Sequence, residues 1–328
     1  MDIMKVVKYI FKRGMVEMKV IRKKKKKKHL LALSLLFLAA LAASALSVRF
    51  PAFKIDASAS VLMDVKTGKV YYEHNASAAL PPASMSKMMT ELLVLKNVKE
   101  GRHSWDETVT ASRYAANVTG AEIGLRPGES LPLRTMFEAM VIHSANDAAI
   151  ALAEHIGGNE REFVKQMNET ARELGLSRQT VFANATGLSS QDLRPFKSAS
   201  SERETMMTAK DLAMLTRHLI HAYPEILDVT AKTELHIPEK RMTLHTTNAM
   251  LPGEAFAYSG NDGFKTGFTQ RAGYCFTGTA ERDGRRFVAV VMGAPDAEKR
   301  FEDAAKMFNY AFEDGGIPVI GRLFASKE

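Results

Sequence analysis

The sequence predicts an α+β fold in which a mostly helical middle region packs against an antiparallel sheet that receives both ends of the folded chain. Three observations support this prediction. Two short β-prone runs are joined by a tight turn within residues 58–73. Apolar residues then recur with helical spacing, most of all between residues 133 and 221. Strand-like runs return within residues 234–292, and a last helical pattern covers residues 297–312.

Positive charge is concentrated at the N-terminus. The 328 residues carry a net charge of +8, and 46% are hydrophobic, as in ordinary soluble globular enzymes. Residues 1–29 hold 12 of the 45 Lys and Arg residues but 2 of the 37 Asp and Glu residues, so residues 30–328 carry 33 basic and 35 acidic groups. This balance argues against nucleic-acid binding by the body of the chain. The single cysteine, Cys275, excludes an internal disulfide framework and a multi-cysteine metal site.

Residues 1–45 have the three parts of a secretory signal peptide. The basic run Arg22–Lys28 precedes the apolar stretch His29–Leu41, and Ala43-Ser44-Ala45 follows as a small-residue cleavage site. We therefore expect export by the general secretory route to the extracellular side of the cytoplasmic membrane or to the cell wall.

A second interpretation keeps this leader as a membrane anchor. The stretch Leu30–Val48 is long enough to cross a hydrocarbon layer of roughly 30 Å, so the protein is either secreted or anchored by its N-terminal segment. The true start, Met1 or Met18, stays open. Residues 46–56 are predicted to form a linker, and one folded domain is predicted for residues 57–328.

The first predicted elements of that domain are a hairpin and a helix. Ser58–Met63 and Lys69–Glu73 are rich in β-forming residues, and Gly68 suits the turn between them. Two prolines and Ser84 are then typical of a helix N-terminus, and apolar residues follow with i, i+3, i+4, i+7, i+8 spacing up to about Glu100. These apolar residues are Met85, Met88, Met89, Leu92 and Leu93.

The later elements follow from the same periodicities. Further helices are predicted over residues 133–142, 147–156, 160–174 and 208–221. Strands are predicted over residues 234–237, 263–266, 274–280 and 286–292. Residues 189–206, which are rich in serine and charge, are predicted to form a surface loop.

Three short motifs carry chemistry. Ser84 and Lys87 lie one helical turn apart, which places a hydroxyl beside an amine at a helix N-terminus, where the dipole disfavours additional positive charge. Ser144-Ala145-Asn146 falls at a break between two predicted helices, and Lys265-Thr266-Gly267 lies on a predicted strand. The chain order S-x-x-K, S-x-N, K-T-G is typical of penicillin-binding proteins and β-lactamases.

Over about residues 57–314, the chain resembles the low-molecular-mass penicillin-binding proteins that are serine-type D-alanyl-D-alanine carboxypeptidases, of the group related to penicillin-binding protein 5. The resemblance extends to longer blocks around the motifs, namely residues 82–90, 144–154, 163–188 and 262–275. It implies a β-lactamase/transpeptidase-like fold, and it makes residues 57–328 the D,D-peptidase catalytic domain.

The resemblance also implies an activity. The expected reaction removes the terminal D-alanine from peptidoglycan pentapeptide stems through an acyl-enzyme, in cell wall biosynthesis and remodelling, and β-lactam antibiotics inhibit it by acylating the same serine. Ser84 is the implied nucleophile, Lys87 the base, and Ser144 the group that passes the proton to the leaving D-alanine. The implied substrate-binding residues are Asn146, Lys265, Thr266, Gly267 and Phe268. No cofactor and no metal are expected, and membrane contact is expected only through an uncleaved leader.

Three alternatives remain. A D,D-endopeptidase acting on cross-links uses the same residues. A class A β-lactamase needs an E-x-x-L-N glutamate, and residues 162–168 have the wrong spacing for it. A non-enzymatic β-lactam sensor is expected to carry additional membrane spans or a signalling domain, which the sequence does not indicate.

The sequence departs from the family pattern and contains two near-copies of the motifs. Many members continue into a β-rich second domain and a C-terminal amphipathic anchor, neither of which is expected here. Lys66-Thr67-Gly68 is expected to form a hairpin turn, and Ser259-Gly260-Asn261 a loop.

Overall fold

The computed structural model describes residues 54–199 and 203–314, together with Met4, Arg13 and Met15. Internal contacts divide the chain into two units, Met1–Ala52 and Phe53–Glu328, and every element named below belongs to the second. Apart from Met4, Arg13 and Met15, the predicted signal peptide lies outside the described residues, as do residues 46–53 of the predicted linker. Among the residues that are described, no helix combines the length and the apolar character that a membrane span requires.

The described residues contain strands and helices in an order close to the predicted one. The strands are β1 (Ala59–Asp64), β2 (Val70–His74), β3 (Thr108–Thr110), β4 (Ser130–Pro132), β5 (Glu234–Ile237), β6 (Met242–His245), β7 (Asn261–Thr269), β8 (Gly273–Arg282) and β9 (Arg285–Ala294). The α-helices are α1 (Lys87–Lys99), α2 (Leu133–Ile142), α3 (Asn146–Gly157), α4 (Glu160–Glu173), α5 (Ser190–Leu193), α6 (Ala209–Ala222), α7 (Ile226–Thr230) and α8 (Lys299–Asn309).

Five strands form one antiparallel sheet in the order β2-β1-β9-β8-β7. β1 pairs with β9, with Val61 opposite Val290, so the first and last strands of the domain lie side by side. The predicted α+β architecture is therefore confirmed. Among the described residues, β7 pairs within the sheet with β8 alone, which leaves one side of β7 as a free edge.

Helices cover both faces of this sheet, because alternate residues of its central strands enter two different hydrophobic clusters. In β9, Val288 and Val290 belong to the larger cluster, which includes buried residues of α1, α3 and α6. Phe287 and Ala289 belong to the smaller cluster, together with Phe301 of α8. Burial on both faces explains why β9 is a continuous apolar run instead of an alternating one.

The structure departs from the predicted elements where sequence patterns are short. β3 and β4 pair with each other, as do β5 and β6, and the sequence analysis does not predict β3, β4 or β6 because three or four residues are too few to show a period. The helix predicted from Ser84 begins as a 3-10 turn, Ala83–Ser86, and its α-helical part starts at Lys87. The predicted surface loop contains α5, which Ser189 caps.

Candidate active site

The site lies where the Ala83–Ser86 turn packs against the edge strand β7. Gly267 makes this close approach possible, because a Cβ atom at its position would lie 2.8 Å from Pro82 O and 3.0 Å from Ser84 N. Ala83 has a φ of 49°, a left-handed conformation that residues other than glycine rarely adopt. The turn that presents Ser84 therefore has a strained backbone conformation and packs against β7 at Gly267, a position with no room for a side chain.

The side chain of Lys87 joins three parts of the site. It is fully buried, and its Nζ atom lies 2.8 Å from Ser84 Oγ, 2.7 Å from Asn146 Oδ1 and 3.1 Å from Thr186 O. Asn146 Oδ1 and Thr186 O can only accept hydrogen bonds, whereas a serine hydroxyl can also donate one. A neutral Lys87 amine therefore donates its two N–H groups to Asn146 and Thr186, and its lone pair faces the Ser84 hydroxyl.

The surroundings of Lys87 favour this neutral form. Burial lowers the pKa of Lys87 well below its ordinary value, and the positive charge of Lys265 lowers it further. The carboxylates of Glu91 and Asp147 act in the opposite direction. Because the net effect is a strong decrease, the amine is able to accept a proton at a pH where an exposed lysine is already charged.

Ser144 and Asn146 lie in the bend between α2 and α3. Asn146 is the first residue of α3, and its side-chain Nδ2 donates to Thr119 O at 2.7 Å, which fixes its oxygen toward Lys87. Ser144 is buried and has a φ of 68°. In the described part of the chain, no hydrogen bond joins the Ser144 hydroxyl to Ser84 or Lys87, so the structure brings Asn146 into contact with the Ser-Lys pair but Ser144 only into its vicinity.

Lys265 supplies a second buried amine on β7. Its Nζ donates to Thr266 O at 3.2 Å. Burial lowers the pKa of Lys265 to about 8, the Glu91 carboxylate opposes this decrease, and the Arg300 guanidinium adds to it. A cation with few protein partners is suited to bind an incoming carboxylate.

Thr266 and Phe268 flank Gly267 on β7. The Thr266 hydroxyl donates to Thr247 Oγ1 at 2.6 Å and is largely buried. The Phe268 side chain is 48% exposed, and its ring centroid lies 4.4 Å from that of Tyr274. The strand that carries the predicted K-T-G motif thus presents the buried Lys265 ammonium and the Thr266 hydroxyl beside the turn of Ser84. The exposed Phe268 ring follows directly after Gly267.

Comparison with known proteins identifies the family. The sequence model of the S11 peptidase family, the D-alanyl-D-alanine carboxypeptidases, matches residues 44–296. The chain belongs to this family. It is 37% identical over 260 residues to D-alanyl-D-alanine carboxypeptidase DacF of Bacillus subtilis, a match that covers 78% of this chain and 62% of DacF. It is 31% identical over 288 residues to DacC of Escherichia coli, covering 84% of this chain and 66% of DacC.

A solved structure agrees with this assignment to the S11 family. The chain is 36% identical to penicillin-binding protein D2 from Listeria monocytogenes in its ampicillin-bound form, with a TM-score of 0.71 over 80% of this chain and all of that one. The resemblance that the three motifs indicate is thus confirmed. The chain spans 62% of the length of DacF, less than two thirds.

This S11 peptidase also has site residues that the motifs do not reveal. Thr186 contributes a backbone oxygen, which leaves no signature in a sequence. The next residue, Gly187, has a φ of 80°, and a Cβ atom there would lie 2.0 Å from Ala83 O and 2.4 Å from Ser86 Oγ. Residues 184–188 belong to a block that resembles the family, but the sequence does not show which of their groups faces Lys87.

Glu91 is the second feature that the sequence analysis missed. It lies four residues after Lys87 on α1 and is fully buried. Within the described residues, neither of its carboxylate oxygens has a hydrogen-bond partner. Burial raises the pKa of Glu91 to about 7, against the opposing effects of Lys265 and Lys87. The available signal was an acidic residue one turn after Lys87, with Leu92 and Leu93 directly following it on α1.

The first near-copy lies in a turn, as expected, whereas the second combines a turn at Ser259-Gly260 with Asn261, the first residue of β7. In the first, the Thr67 N–H donates to Asp64 Oδ1 at 2.7 Å and closes the hairpin turn between β1 and β2. In the second, Asn261 Nδ2 donates to Gly263 O at 3.1 Å and Thr279 O at 3.0 Å at the start of β7. The Thr67 hydroxyl also donates to Asp64 Oδ1, at 2.8 Å. Among the described residues, neither near-copy supplies a hydrogen-bonding group to Lys87.

Proposed function

We propose that this protein is a serine-type D-alanyl-D-alanine carboxypeptidase that removes the terminal D-alanine from peptidoglycan pentapeptide stems through an acyl-enzyme. One observation carries the proposal. The buried Lys87 amine contacts Ser84 Oγ while its two remaining hydrogens have fixed acceptors, so its lone pair faces the hydroxyl proton. This is the geometry of a nucleophile with its general base.

Acylation begins with the Ser84 hydroxyl. Its Oγ attacks the carbonyl carbon of the penultimate D-alanine, and its proton moves to Lys87 Nζ. The backbone N–H groups of Ser84 and Phe268 stabilise the oxyanion of the tetrahedral intermediate. The C–N bond to the terminal D-alanine then breaks, and the proton passes from Lys87 through the Ser144 hydroxyl to the leaving amine.

Deacylation reverses these roles with water in place of the leaving D-alanine. Lys87 accepts a proton from the water as its oxygen attacks the ester carbon, and the Ser84 Oγ–carbon bond breaks. The proton passes from Lys87 to Ser84, and the shortened stem leaves as a carboxylic acid, which loses its remaining proton to solvent. No cofactor enters either half of the reaction.

The free edge of β7 is the proposed substrate-binding surface. An extended D-alanyl-D-alanine segment can pair with an edge strand through backbone hydrogen bonds. Its terminal carboxylate lies near the Lys265 ammonium and the Thr266 hydroxyl, and Asn146 contacts the substrate amide. Gly267 keeps the strand next to Ser84, so the scissile carbonyl comes to lie between the nucleophile and the oxyanion donors.

β-Lactam antibiotics are the proposed inhibitors. The related D2 protein of Listeria monocytogenes has been solved in ampicillin-bound and cefotaxime-bound forms. A β-lactam carries a carboxylate and a reactive carbonyl, so the same Lys265 and Ser84 groups recognise it. We propose that Ser84 forms a long-lived acyl-enzyme, because no glutamate lies at the class A β-lactamase spacing.

The proposed place of action is outside the cytoplasm. The leader of residues 1–45, with its basic and apolar parts, supports export, either with cleavage after Ala45 or with the segment kept as an anchor. The substrate supports the same place, because pentapeptide stems of the wall are assembled into peptidoglycan outside the membrane.

Mass spectrometry of a muramyl pentapeptide ending in D-Ala-D-Ala tests the proposal. We expect the purified 328-residue chain to release one terminal alanine, and Ser84→Ala to release none. Labelling with a fluorescent penicillin runs in parallel. An unchanged pentapeptide from protein that penicillin still labels overturns the carboxypeptidase assignment. A cross-linked stem dimer given to the same sample then separates an endopeptidase, which cleaves it, from a sensor, which does not.

A further inference from the structure

A second cluster of ionisable side chains lies near the last turn of α3. His103, from the connection after α1, and Glu107, from the segment before β3, meet His155 of α3. His103 Nδ1 lies 2.5 Å and His155 Nε2 lies 2.6 Å from the same atom, Glu107 Oε1. The three potential ligand atoms all lie within 4.8 Å of one another. The side chains are 21–29% exposed, so solvent and ions reach them.

The donor set of this cluster fits a transition metal. Two imidazole nitrogens and a carboxylate oxygen are ligands of Zn²⁺, with bonds of about 2.0–2.1 Å. A tetrahedral ion with such bonds separates its ligand atoms by roughly 3.3 Å, so each imidazole nitrogen needs to move less than about 1 Å away from Glu107 Oε1. Partial exposure leaves a fourth position for water.

Neighbouring backbone contacts hold the carboxylate in place. Glu107 Oε2 accepts a hydrogen bond from the Ser104 N–H at 3.0 Å, which orients its other oxygen toward the two imidazoles. The Glu107 carbonyl oxygen accepts from the Leu133 N–H at 2.8 Å, which joins this segment to the start of α2. The ligands are therefore positioned before any ion binds.

We propose that His103, Glu107 and His155 form a binding site for a divalent transition-metal ion, zinc by its donor chemistry. The ion ties the connection between α1 and β3 to the last turn of α3. Asn146 lies nine residues before His155 on α3, roughly 13 Å along the helix axis. The site is therefore structural and takes no part in the proposed reaction.

Metal binding and thermal unfolding of the full chain test this site. EDTA treatment and dialysis first remove any bound metal. When Zn²⁺ is then added, we expect the chain to bind one Zn²⁺ tightly and its unfolding temperature to rise by several degrees. Co²⁺ in place of Zn²⁺ should give the visible absorption bands of a four-coordinate site. Binding should weaken at least about tenfold in His155→Gln and Glu107→Gln, since each removes one ligand.

His218→Gln is the matched control, because it removes a half-buried imidazole outside the cluster, and its Zn²⁺ affinity should equal that of the wild type. Equal affinity and stoichiometry in His155→Gln and the wild type would overturn the proposal. So would a wild-type protein with neither a Co²⁺ spectrum nor a Zn²⁺-dependent unfolding temperature, a result that does not depend on whether the variants fold.

A separate observation concerns Glu91 and rests on the proposed function. Its carboxylate is fully buried and unpartnered among the described residues, and one turn separates it from Lys87 on α1. The positive charge of Lys265, on β7, also acts on this carboxylate. Beyond these two amines, Asp147 of α3 acts on Lys87, and Arg300 of α8 acts on Lys265.

We propose that Glu91 is a positioning residue that sets the proton distribution between Lys87 and Lys265 without touching the substrate. Acylation needs Lys87 neutral and Lys265 charged at the same pH. A carboxylate close to both amines raises the pKa of each, since it stabilises their charged forms. Because Glu91 is ionised above about pH 7, its presence moves the alkaline limit of the active pH range upward.

The pH profile of penicillin acylation tests this role. In Glu91→Gln the amines lose the negative charge that Glu91 carries above about pH 7, so the alkaline limb of the bell-shaped profile, which Lys265 sets, should move to lower pH. Glu91→Asp keeps the charge and should restore the wild-type optimum, even if its maximal rate is lower. A purely structural role changes the height of the profile and leaves its limits where they are.

Glu100→Gln, at the C-terminal end of the same helix, is the control and should keep the wild-type profile. A Glu91→Gln protein that penicillin acylates with an unshifted alkaline limb would overturn the positioning role and leave the proposed function intact. Failure of the wild-type chain to acylate at all would instead overturn the proposed function.

Discussion

Two clusters of ionisable residues lie near opposite ends of α3. Each contains a glutamate, and the pKa of that glutamate is shifted in opposite directions in the two clusters. At the Asn146 end, Glu91 is fully buried and its pKa rises to about 7. At the His155 end, Glu107 is partly exposed and its pKa falls to about 2. The same side chain is thus pushed toward its neutral form in one cluster and toward its charged form in the other.

The difference lies in what replaces water around the carboxylate. Burial raises the pKa of Glu107 too, but hydrogen bonds from His155, from the Ser104 N–H and from His103 outweigh that effect. Glu91 has no such donors within the described residues, so the loss of water is uncompensated. The protonation of a buried carboxyl group without hydrogen-bond partners depends strongly on neighbouring charges. Hydrogen bonds from several donors instead hold a carboxyl group in its charged form.

The largest expected effect tests the buried cluster. Replacing Lys87 with methionine keeps its apolar stem but removes the base, so the rate of acylation by penicillin should fall about 10³-fold, within the range for loss of a general base. Fluorescent-penicillin labelling over time measures this rate. Lys66→Met, in the hairpin-turn copy of K-T-G, should react at the wild-type rate. A Lys87→Met rate within tenfold of wild type would show that Lys87 is not the base.

The contact between β7 and the Ser84 turn gives the next effect. Gly267→Ala introduces a Cβ atom against Pro82 O and Ser84 N. Overpacking of this kind costs about 1–3 kcal/mol, and the displaced turn should lower acylation at least about tenfold. Urea unfolding and penicillin labelling measure the two effects. Gly101→Ala, at a φ of 70° with open space around it, should cost only about 1 kcal/mol and keep full acylation.

The stability of the buried cluster should depend on pH through Glu91. Because its pKa in the folded state lies above the ordinary value of 4.5, ionisation destabilises the fold, and stability is lost as pH rises from about 4.5 through about 7. The wild type should therefore lose on the order of 2 kcal/mol relative to Glu91→Gln across this range. Urea unfolding at pH 5 and pH 8 measures the difference. If the difference in unfolding free energy between the wild type and Glu91→Gln is the same at both pH values, the raised pKa of Glu91 is contradicted.

Glu107 should show the opposite and smaller dependence. Its folded-state pKa of about 2 lies below the ordinary 4.5, so its contribution is present above about pH 4.5 and is lost as pH falls toward 2. After allowance for solvent screening, the wild type should lose on the order of 1 kcal/mol relative to Glu107→Gln. Urea unfolding between pH 5 and pH 3 measures it. If the stability advantage of the wild type over Glu107→Gln instead increases at acid pH, the lowered pKa of Glu107 is contradicted.

The sequence predicts much of this molecule where its signals are long or chemically specific. Helical spacing locates α2, α4 and α6 within two residues of their observed starts. The three motifs indicate the S11 family, and the contact between Ser84 and Lys87 follows from their spacing on a helical turn. The roles of all the predicted site residues in the reaction, those of Ser84 and Lys87 included, stay predictions that the proposed assays test.

The remaining features have no local signature. The Thr186 carbonyl reaches Lys87 across 99 positions, and His155 reaches Glu107 across 48, so neither pair shows in any periodic pattern. In the sequence, nothing distinguishes Gly187 and Gly267 from other glycines. Only the structure shows that the backbone of the Ser84 turn lies against both of them.

By itself, the sequence determined the family and the α+β class and predicted the contact between Ser84 and Lys87, because motif spacing and apolar periodicity act over a few residues. Only the tertiary structure decided which ionisable groups lose their water and which find partners. Those outcomes depend on packing between segments that are distant in the chain, and they separate the behaviour of Glu91 from that of Glu107.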